Sequence, residues 1–486
     1  MANIRLRLAP SPTGFLHIGN LRTALFGYLL AKSQGGQYIL RIEDTDQKRE
    51  VTGAVDSLIQ ILDWVGIKFD EGPHQGGDYG PYVQTERLAI YQKHVADLLA
   101  KKQAYHCFCS SEDLDKKRAE QANNKQAPRY DRTCRDLSKK EVEKKIKEGA
   151  SFVIRQAMPL SGQVVVHDEL RGDITFPAAD LEDQVLVKSN GIPTYQLANV
   201  IDDHLMVISH VTRGEEWLPS FPKNILLYQA LGWTPPKFIH LPLLLNKGGG
   251  KLSKRQGDVF VEDFKQLGYL PEALINFCAL LGWHPQTDNE ILTMSQLLQN
   301  FSLDGLGSSP AIFDLDKLDY LNGYYIRQMA LPNLTKLCRP YLADYLAQAT
   351  PEQQTSDYLQ AVIRLEQARL KKLADIKDKT EFFFTDIHYE SELLIWKKSD
   401  QAKTKIALSE LLAIMEKINK KNWTQGSLEE TIINYLKAKE ASLGDYLWPL
   451  RVALTGQKAS PGPFEVGEVL GKDLSLARLQ QAIEKL

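Results

Sequence analysis

This sequence predicts an α/β half built on a parallel sheet, interrupted by an α+β insertion and followed by an all-helical half. Three observations carry that expectation. Strand, loop, helix, strand and helix patterns follow one another at the start of the chain, the signature of a βαβ unit. The texture changes near residue 105 and returns near residue 193. Beyond residue 260 the apolar spacing is mostly helical.

Taken in order, residues 3–9 alternate polar and apolar side chains and read as a strand. The string PSPTGFLHIGN at 10–20 reads as a loop, and Ile18 to Ala31 as a helix. QYILRI at 37–42 reads as a second strand, and Thr52 to Val65 as a second helix. The Gly- and Pro-rich residues 69–83 read as an irregular connection. In the insertion, lysine-rich helical pieces at 111–127 and 138–148 precede the strand-like SFVIRQ and QVVVHDEL. The α/β texture resumes with IPTYQLANVIDDHLM and VISHVTRGEEW, then NILLYQALGW as a helix and FIHLPLLL as a strand. Internal repeats and low-complexity tracts do not stand out.

Bulk properties narrow the function classes. At 486 residues the chain is long enough for about two to four domains. Its 43% hydrophobic and 25% charged residues are ordinary for a globular protein. With a formal net charge of -2, any nucleic-acid contact must come from local basic patches. No apolar run approaches a membrane span and the N-terminus has no signal-type apolar region, so a cytoplasmic protein without a membrane partner is expected. Five cysteines do not suggest a disulfide framework.

Two loops carry chemistry. A strand end running through a Gly-containing turn into a helix N-terminus favours anions through its amide groups and dipole. There Gly19 leaves room for a flat ring or phosphate, and His17 is placed to donate to a phosphate oxygen. The second loop, GGGKLSKRQGD at 248–258, brackets a serine with Lys251 and Lys254. An ammonium closing onto a pyrophosphate stabilises the transition state more than the ground state. Taken alone, the first stretch also reads as an ordinary βα loop, and the second reads more readily as a solvated basic turn.

A third stretch, CFCSSEDLDKKRAEQANNKQAPRYDRTCRD, gathers Cys107, Cys109, Tyr130 and Cys134. Three thiolates plus one more donor suit a tetrahedral zinc site. Free cysteines in a metal-free loop are the alternative reading.

The pair His17-Ile18-Gly19-Asn20 and Lys251-Leu252-Ser253-Lys254-Arg255 resembles the HIGH and KMSKS signatures of class I aminoacyl-tRNA synthetases. Asn20 stands for the second His and Arg255 for the final Ser. The series RLAPSPTGFLHIGNLRTALF, LRIEDTD, DEGP, GIPTYQLANVIDDHLM, VTRGEEW, KLSKR, FDLDKLDYLN and LRVALTG, in that order, is similar to glutamyl-tRNA synthetases of bacterial or organellar type. Tyr320 stands where that family often has Trp.

The resemblance implies a Rossmann-type class I synthetase catalytic domain with an α+β insertion, followed by all-α C-terminal anticodon-binding domains. Its implied boundaries are 1–104 and 193–245 for the two halves of the catalytic domain and 105–192 for an inserted acceptor-stem module. A KLSKR loop and stem-contact region at 246–325 and a helical anticodon-binding region at 326–486 complete it. The implied activity is glutamate–tRNA ligation, in which L-glutamate and ATP give glutamyl-adenylate and the glutamyl group passes to tRNA(Glu). Phosphate stabilisation falls to His17 and Lys254 with Lys251 assisting, and Gly19 and Glu216 lie along the nucleotide. Arg7, Tyr195 and Arg213 hold the glutamate carboxylates. Ala9, Ser11, Glu43 and Asn199 complete the pocket, with Glu43 suited to the ammonium and Trp217 as a wall. Each of these also has a plain structural reading, such as Arg7 exposed on a strand or Tyr195 and Trp217 in a core.

Mg²⁺ is expected with ATP, though no dedicated cage is evident. One structural Zn²⁺ is expected on the cysteines, with Tyr130, or Asp136 where some relatives have His, as fourth ligand. In the helical half the run AVIRLEQARLKKLADIKDK offers Arg364, Arg369, Lys371 and Lys372 to RNA, and Arg369 falls where the family can read the last anticodon base. A monomer is expected. A glutaminyl enzyme, with its β-barrel C-terminus, fits the helical tail poorly. A small-molecule nucleotidyltransferase would not need that tail, and an RNA-binding regulator should have lost His17 or Lys254.

Overall fold

A computed structural model describes every residue except 1–3, 47, 48, 50, 251, 253–259 and 398. The expected phosphate-site residues Lys251 and Lys254 lie outside the described residues. The chain divides into two compact units, residues 1–265 with 271–315, and residues 266–270 with 316–486.

The first unit opens with β1 (Arg5–Leu8), α1 (Ile18–Ser33), β2 (Gln37–Leu40) and α2 (Ala54–Trp64). β1 and β2 pair in parallel, Arg5 opposite Gln37 through Leu8 opposite Leu40. The alternation in RLRL predicts one wet face, yet all four residues are buried. Buried ion pairs explain the difference: Arg5 meets Glu71 at 2.8 Å and Arg7 meets Asp203 at 2.9 Å. α1 lies close on the sheet at Gly27, where a Cβ would sit 3.0 Å from both Thr212 Oγ1 and the Tyr38 ring.

α3 (Leu88–Ala100) leads into the insertion: β3 (Ala104–Cys107), α4 (Ser111–Asn123), α5 (Lys139–Lys147), β4 (Val153–Gln156), β5 (Gln163–Asp168), β6 (Gly172–Pro177) and β7 (Val185–Val187). Ser138 caps α5 with a reciprocal bond to Glu141. β3, β4 and β7 form a small antiparallel sheet. The β5–β6 hairpin instead joins the returning α/β part, which comprises α6 (Tyr195–Leu205), β8 (His210–Gly214), α7 (Phe221–Leu231) and β9 (Lys237–Leu241). The strand order is β6-β5-β9-β8, with β8 and β9 parallel and Asp168 of β5 opposite Phe238. Ile154, Met158, Val164 and Val166 of the insertion share one apolar cluster with Val211, Phe221 and Phe238. Pro242 follows β9, so FIHLPLLL is not one strand; Leu244–Leu245 pair separately with Ala311–Ile312.

The second unit is helical. Its core gathers Leu408, Leu411, Ile432, Leu450, Leu454 and Leu479 from helices Gln401–Met415, Gln425–Ala438, Leu443–Thr455 and Lys472–Lys485.

Candidate active site and metal cluster

The loop after β1, the N-terminus of α1, the segment after β2, the start of α6 and the end of β8 surround one cavity of about 760 Å³. β1 and β2 pair in parallel, as do β8 and β9, and crevices form at the C-terminal ends of parallel strands. Arg7, Ala9, Ser11, His17, Gly19, Glu43, Tyr195, Arg213, Glu216 and Trp217 all line it. Asn199, one helical turn beyond Tyr195, is buried but stands outside the lining. Leu252, which donates its amide to Leu244 at 3.0 Å, is the described residue of the KLSKR loop on the cavity wall.

At one end, His17 caps α1. Its Nδ1 accepts the Gly19 amide at 3.0 Å, so in the neutral ring the proton sits on Nε2. A Cβ at Gly19 would meet His17 Nδ1 at 3.4 Å and Leu244 Cδ1 at 3.9 Å, ordinary contacts. The protein itself therefore tolerates a methyl there, and the space it would fill is cavity.

The other end is charged and buried. Arg7 is clamped by both oxygens of Asp203, through Nε at 2.9 Å and Nη2 at 3.2 Å. Behind it, fully buried Arg41 meets Asp203 at 2.7 Å and Glu43 at 3.1 Å, while Asp202 holds Arg87 Nε at 2.7 Å. Burial pushes the Glu43 carboxyl up to about 7 against the pull of Arg41 and Arg7. Burial also works against the Asp203 carboxylate, but the charges of Arg41 and Arg7 outweigh it and hold its pKa below the ordinary range. Arg213 donates Nε to His240 Nε2 at 2.9 Å and Nη1 to Asn224 Oδ1 at 3.2 Å. Its buried Nη2 has no hydrogen-bond partner among the described residues. Tyr195 and Trp217, with ring centroids 4.6 Å apart, form an aromatic wall.

Sequence reasoning left several of these residues without a role. Arg41, Asp202 and Asp203 lie in the quoted LRIEDTD and GIPTYQLANVIDDHLM; the signal was an arginine at the end of the apolar run QYIL and two adjacent acids on a helix. Arg22 and Lys188 also line the cavity. Arg22 donates to the Pro242 and Leu281 carbonyls, and burial pulls its pKa down to about 10.

In the insertion, the ligand atoms of Cys107, Cys109 and Cys134 lie within 4.8 Å of one another. The Tyr130 hydroxyl is 3.3 Å from Cys107 Sγ and accepts the Cys134 amide at 3.1 Å. Cys134 Sγ lies 3.6 Å from Cys109 Sγ and accepts the Phe108 amide at 3.4 Å. Asp136 is exposed and outside this group. In the helical unit, Arg364 is on the helix Ser356–Glu366 and Arg369 ends a 3-10 turn, Gln367–Arg369. Arg369 Nη1 lies 3.0 Å from both oxygens of buried Glu366, and Nη2 donates to the Ala459 carbonyl at 3.2 Å.

Residues 3–320 match the family model for the catalytic domain of class I tRNA synthetases (E and Q), and residues 333–483 match an anticodon binding domain. A glutamate–tRNA ligase of Clostridium botulinum is 43% identical over 486 residues, covering 99% of this chain and 98% of that protein. One from Dehalococcoides mccartyi is 45% identical over 484 residues, with the same coverage. The crystal structure of a glutamate tRNA ligase from Elizabethkingia meningosepticum, in complex with its amino acid, superposes with a TM-score of 0.89 at 35% identity over 99% of each chain. The chain thus belongs to the glutamate–tRNA ligases, a family of class I aminoacyl-tRNA synthetases.

Proposed function

We propose that the cavity binds ATP at its His17–Gly19 end and L-glutamate at its Arg7–Arg213 end, and joins them. An α-carboxylate oxygen of glutamate attacks the α-phosphorus of ATP. The bond to the β-phosphate oxygen breaks, giving glutamyl-adenylate and pyrophosphate. The terminal ribose hydroxyl of tRNA(Glu) then takes the glutamyl group and releases AMP. The protein contributes position and charge. His17 Nε2–H and the α1 N-terminus face the phosphates, with Lys254 and Lys251 assigned to the leaving pyrophosphate and Mg²⁺ accompanying the triphosphate. Gly19 and Glu216 border the nucleotide. Ala9 and Ser11 line the wall between the two ends, Glu43 takes the ammonium, and Tyr195 and Trp217 exclude water.

The observation that carries this reading is the unpaired Nη2 of Arg213 in the cavity wall. A buried guanidinium donor fits a carboxylate; an amide lacks the charge and offers a poorer partner. The test is ATP–pyrophosphate exchange with purified protein. Glutamate, with tRNA added, should support exchange. Exchange with a different amino acid, or none under any condition, would overturn the reading.

Two finer assignments go with it. Cys107, Cys109 and Cys134, with the Tyr130 oxygen as fourth donor, suit one structural Zn²⁺; metal analysis should find one zinc per chain, lost in Cys134→Ser. Arg369, steadied by Glu366, is assigned to the last anticodon base. The wild type should then charge tRNA(Glu) and reject tRNA(Gln), and Arg369→Gly should blur that choice. Equal charging of both by the wild type would contradict it.

A further inference from the structure

Arg213, His240 and Asp168 form a polar chain across the three adjacent strands β8, β9 and β5. β8 and β9 are in parallel register with Arg213 opposite His240. The next strand, β5, comes from the insertion and ends at Asp168. Along β5 burial alternates, and Asp168 falls on the buried face with Val164 and Val166. Asp168 and His240 are both 0% exposed.

The bonding fixes every proton. Asp168 Oδ1 accepts the amides of Leu170 and Arg171 at 3.0 Å each. Its Oδ2 accepts the His240 amide at 3.0 Å and lies 2.7 Å from His240 Nδ1. A carboxylate that already accepts three backbone amides is ionised and cannot donate, so Nδ1 carries the proton. A guanidinium cannot accept, so His240 Nε2, which receives Arg213 Nε–H, is bare. The imidazole is therefore neutral and in one tautomer. Burial lowers the pKa of His240, in keeping with this, although Asp168 pulls the other way. Phe221 and Phe238 shield the ring, with centroids 4.8 and 6.1 Å from it.

We propose that Asp168 and His240 are positioning residues for amino-acid selection: the carboxylate sets the imidazole tautomer, and the imidazole locks the Arg213 fork so that Nη2 meets the side-chain carboxylate of glutamate. The logic is that of a carboxylate orienting a histidine in a triad, used here to aim a cation. This rests on the reading of Arg213 as a glutamate ligand. The insertion thereby contributes to the amino-acid pocket through its own strand β5.

The experiment is tRNA-supported pyrophosphate exchange on the full chain, with KM for glutamate and for ATP measured separately. His240→Asn keeps a donor toward Asp168 and loses the acceptor for Arg213. It should raise the glutamate KM about tenfold or more, leave the ATP KM unchanged, and shrink the preference for glutamate over glutamine by a similar factor. His240→Gln, whose amide oxygen reaches the Nε2 position, should recover most of the loss. A folded His240→Asn enzyme with wild-type glutamate KM, or with both KM values raised alike, would overturn the inference. Arg213→Leu separates the two readings. If it too leaves glutamate use intact, the pocket assignment falls and the inference with it; if it abolishes glutamate use while His240→Asn does not, the positioning role alone falls. Should the variants not fold, ¹⁵N NMR of the wild-type His240 ring decides. A protonated Nδ1 and bare Nε2 are expected, and a proton on Nε2 would contradict the proposal.

Discussion

In the first unit Arg5, Arg7, Arg22, Arg41, Arg87, Arg155 and Arg213 are all buried, and so are Glu43, Glu71, Asp168, Asp183, Asp202 and Asp203. In the helical unit the buried charged residues, among those described, are Glu366 and Arg478. The difference separates two ways of working. Burying a charge is expensive unless it is paired and hydrogen-bonded. The first unit accepts that cost throughout and ends with a cavity whose wall holds an unpaired cationic donor. The helical unit packs leucines and isoleucines and leaves its charge on the surface, where a long polyanion can be met without desolvating a core.

The comparison breaks first at Arg41. Arg41→Met would leave Asp203 and Glu43 without their nearest cation, so a loss of at least about 3 kcal/mol in urea unfolding is expected. A loss under about 1 kcal/mol would mean the network is not held together by charge. Next comes Gly19. Because the protein has room for a methyl and alanine favours a helix, Gly19→Ala should melt at or above the wild-type temperature. With the proposed ATP site at this end, it should still lose about a hundredfold in kcat/KM for ATP, since the methyl would take up cavity space meant for the nucleotide.

The helical unit offers the matched contrast to Arg41. Arg478 bonds the carbonyls of Leu454, Phe382 and Thr385 at 2.6, 2.8 and 3.1 Å, and no carboxylate is among those partners. Arg478→Met should cost about 1–3 kcal/mol, less than Arg41→Met, and leave tRNA-independent ATP binding unchanged. Equal losses at the two sites would erase the distinction between the units.

The smallest effect concerns Glu366, which burial pushes up to about 7 in spite of Arg369. Between about pH 4.5 and 7 the folded chain keeps a proton that the unfolded chain has released. This group's contribution to stability is therefore full below that window and is lost as pH rises through it. Glu366→Gln should flatten the fall in urea midpoint over this range; an unchanged slope would show that another group is responsible.

Much of this was legible from local pattern. The strand-like QVVVHDEL and the loop between 10 and 17 placed β5 and the start of α1, and the quoted motifs supplied nearly every cavity-lining residue. Pairings between distant strands were not legible. Nothing near Asp168 announces His240, 72 residues away, because only the order β6-β5-β9-β8 makes them neighbours. Arg7 reads as exposed by strand alternation, until Asp203 on α6 is seen to neutralise it. Asn199 shares a helix with Tyr195, but its side chain belongs to the buried face.

Glutamate against glutamine is the most direct test of the account. In tRNA-supported pyrophosphate exchange the wild type should favour glutamate by about 10⁴-fold in kcat/KM, and Arg213→Leu should bring the two amino acids close together. An Arg213→Leu enzyme that keeps the full preference would contradict the claim that a buried, unpaired guanidinium selects the substrate.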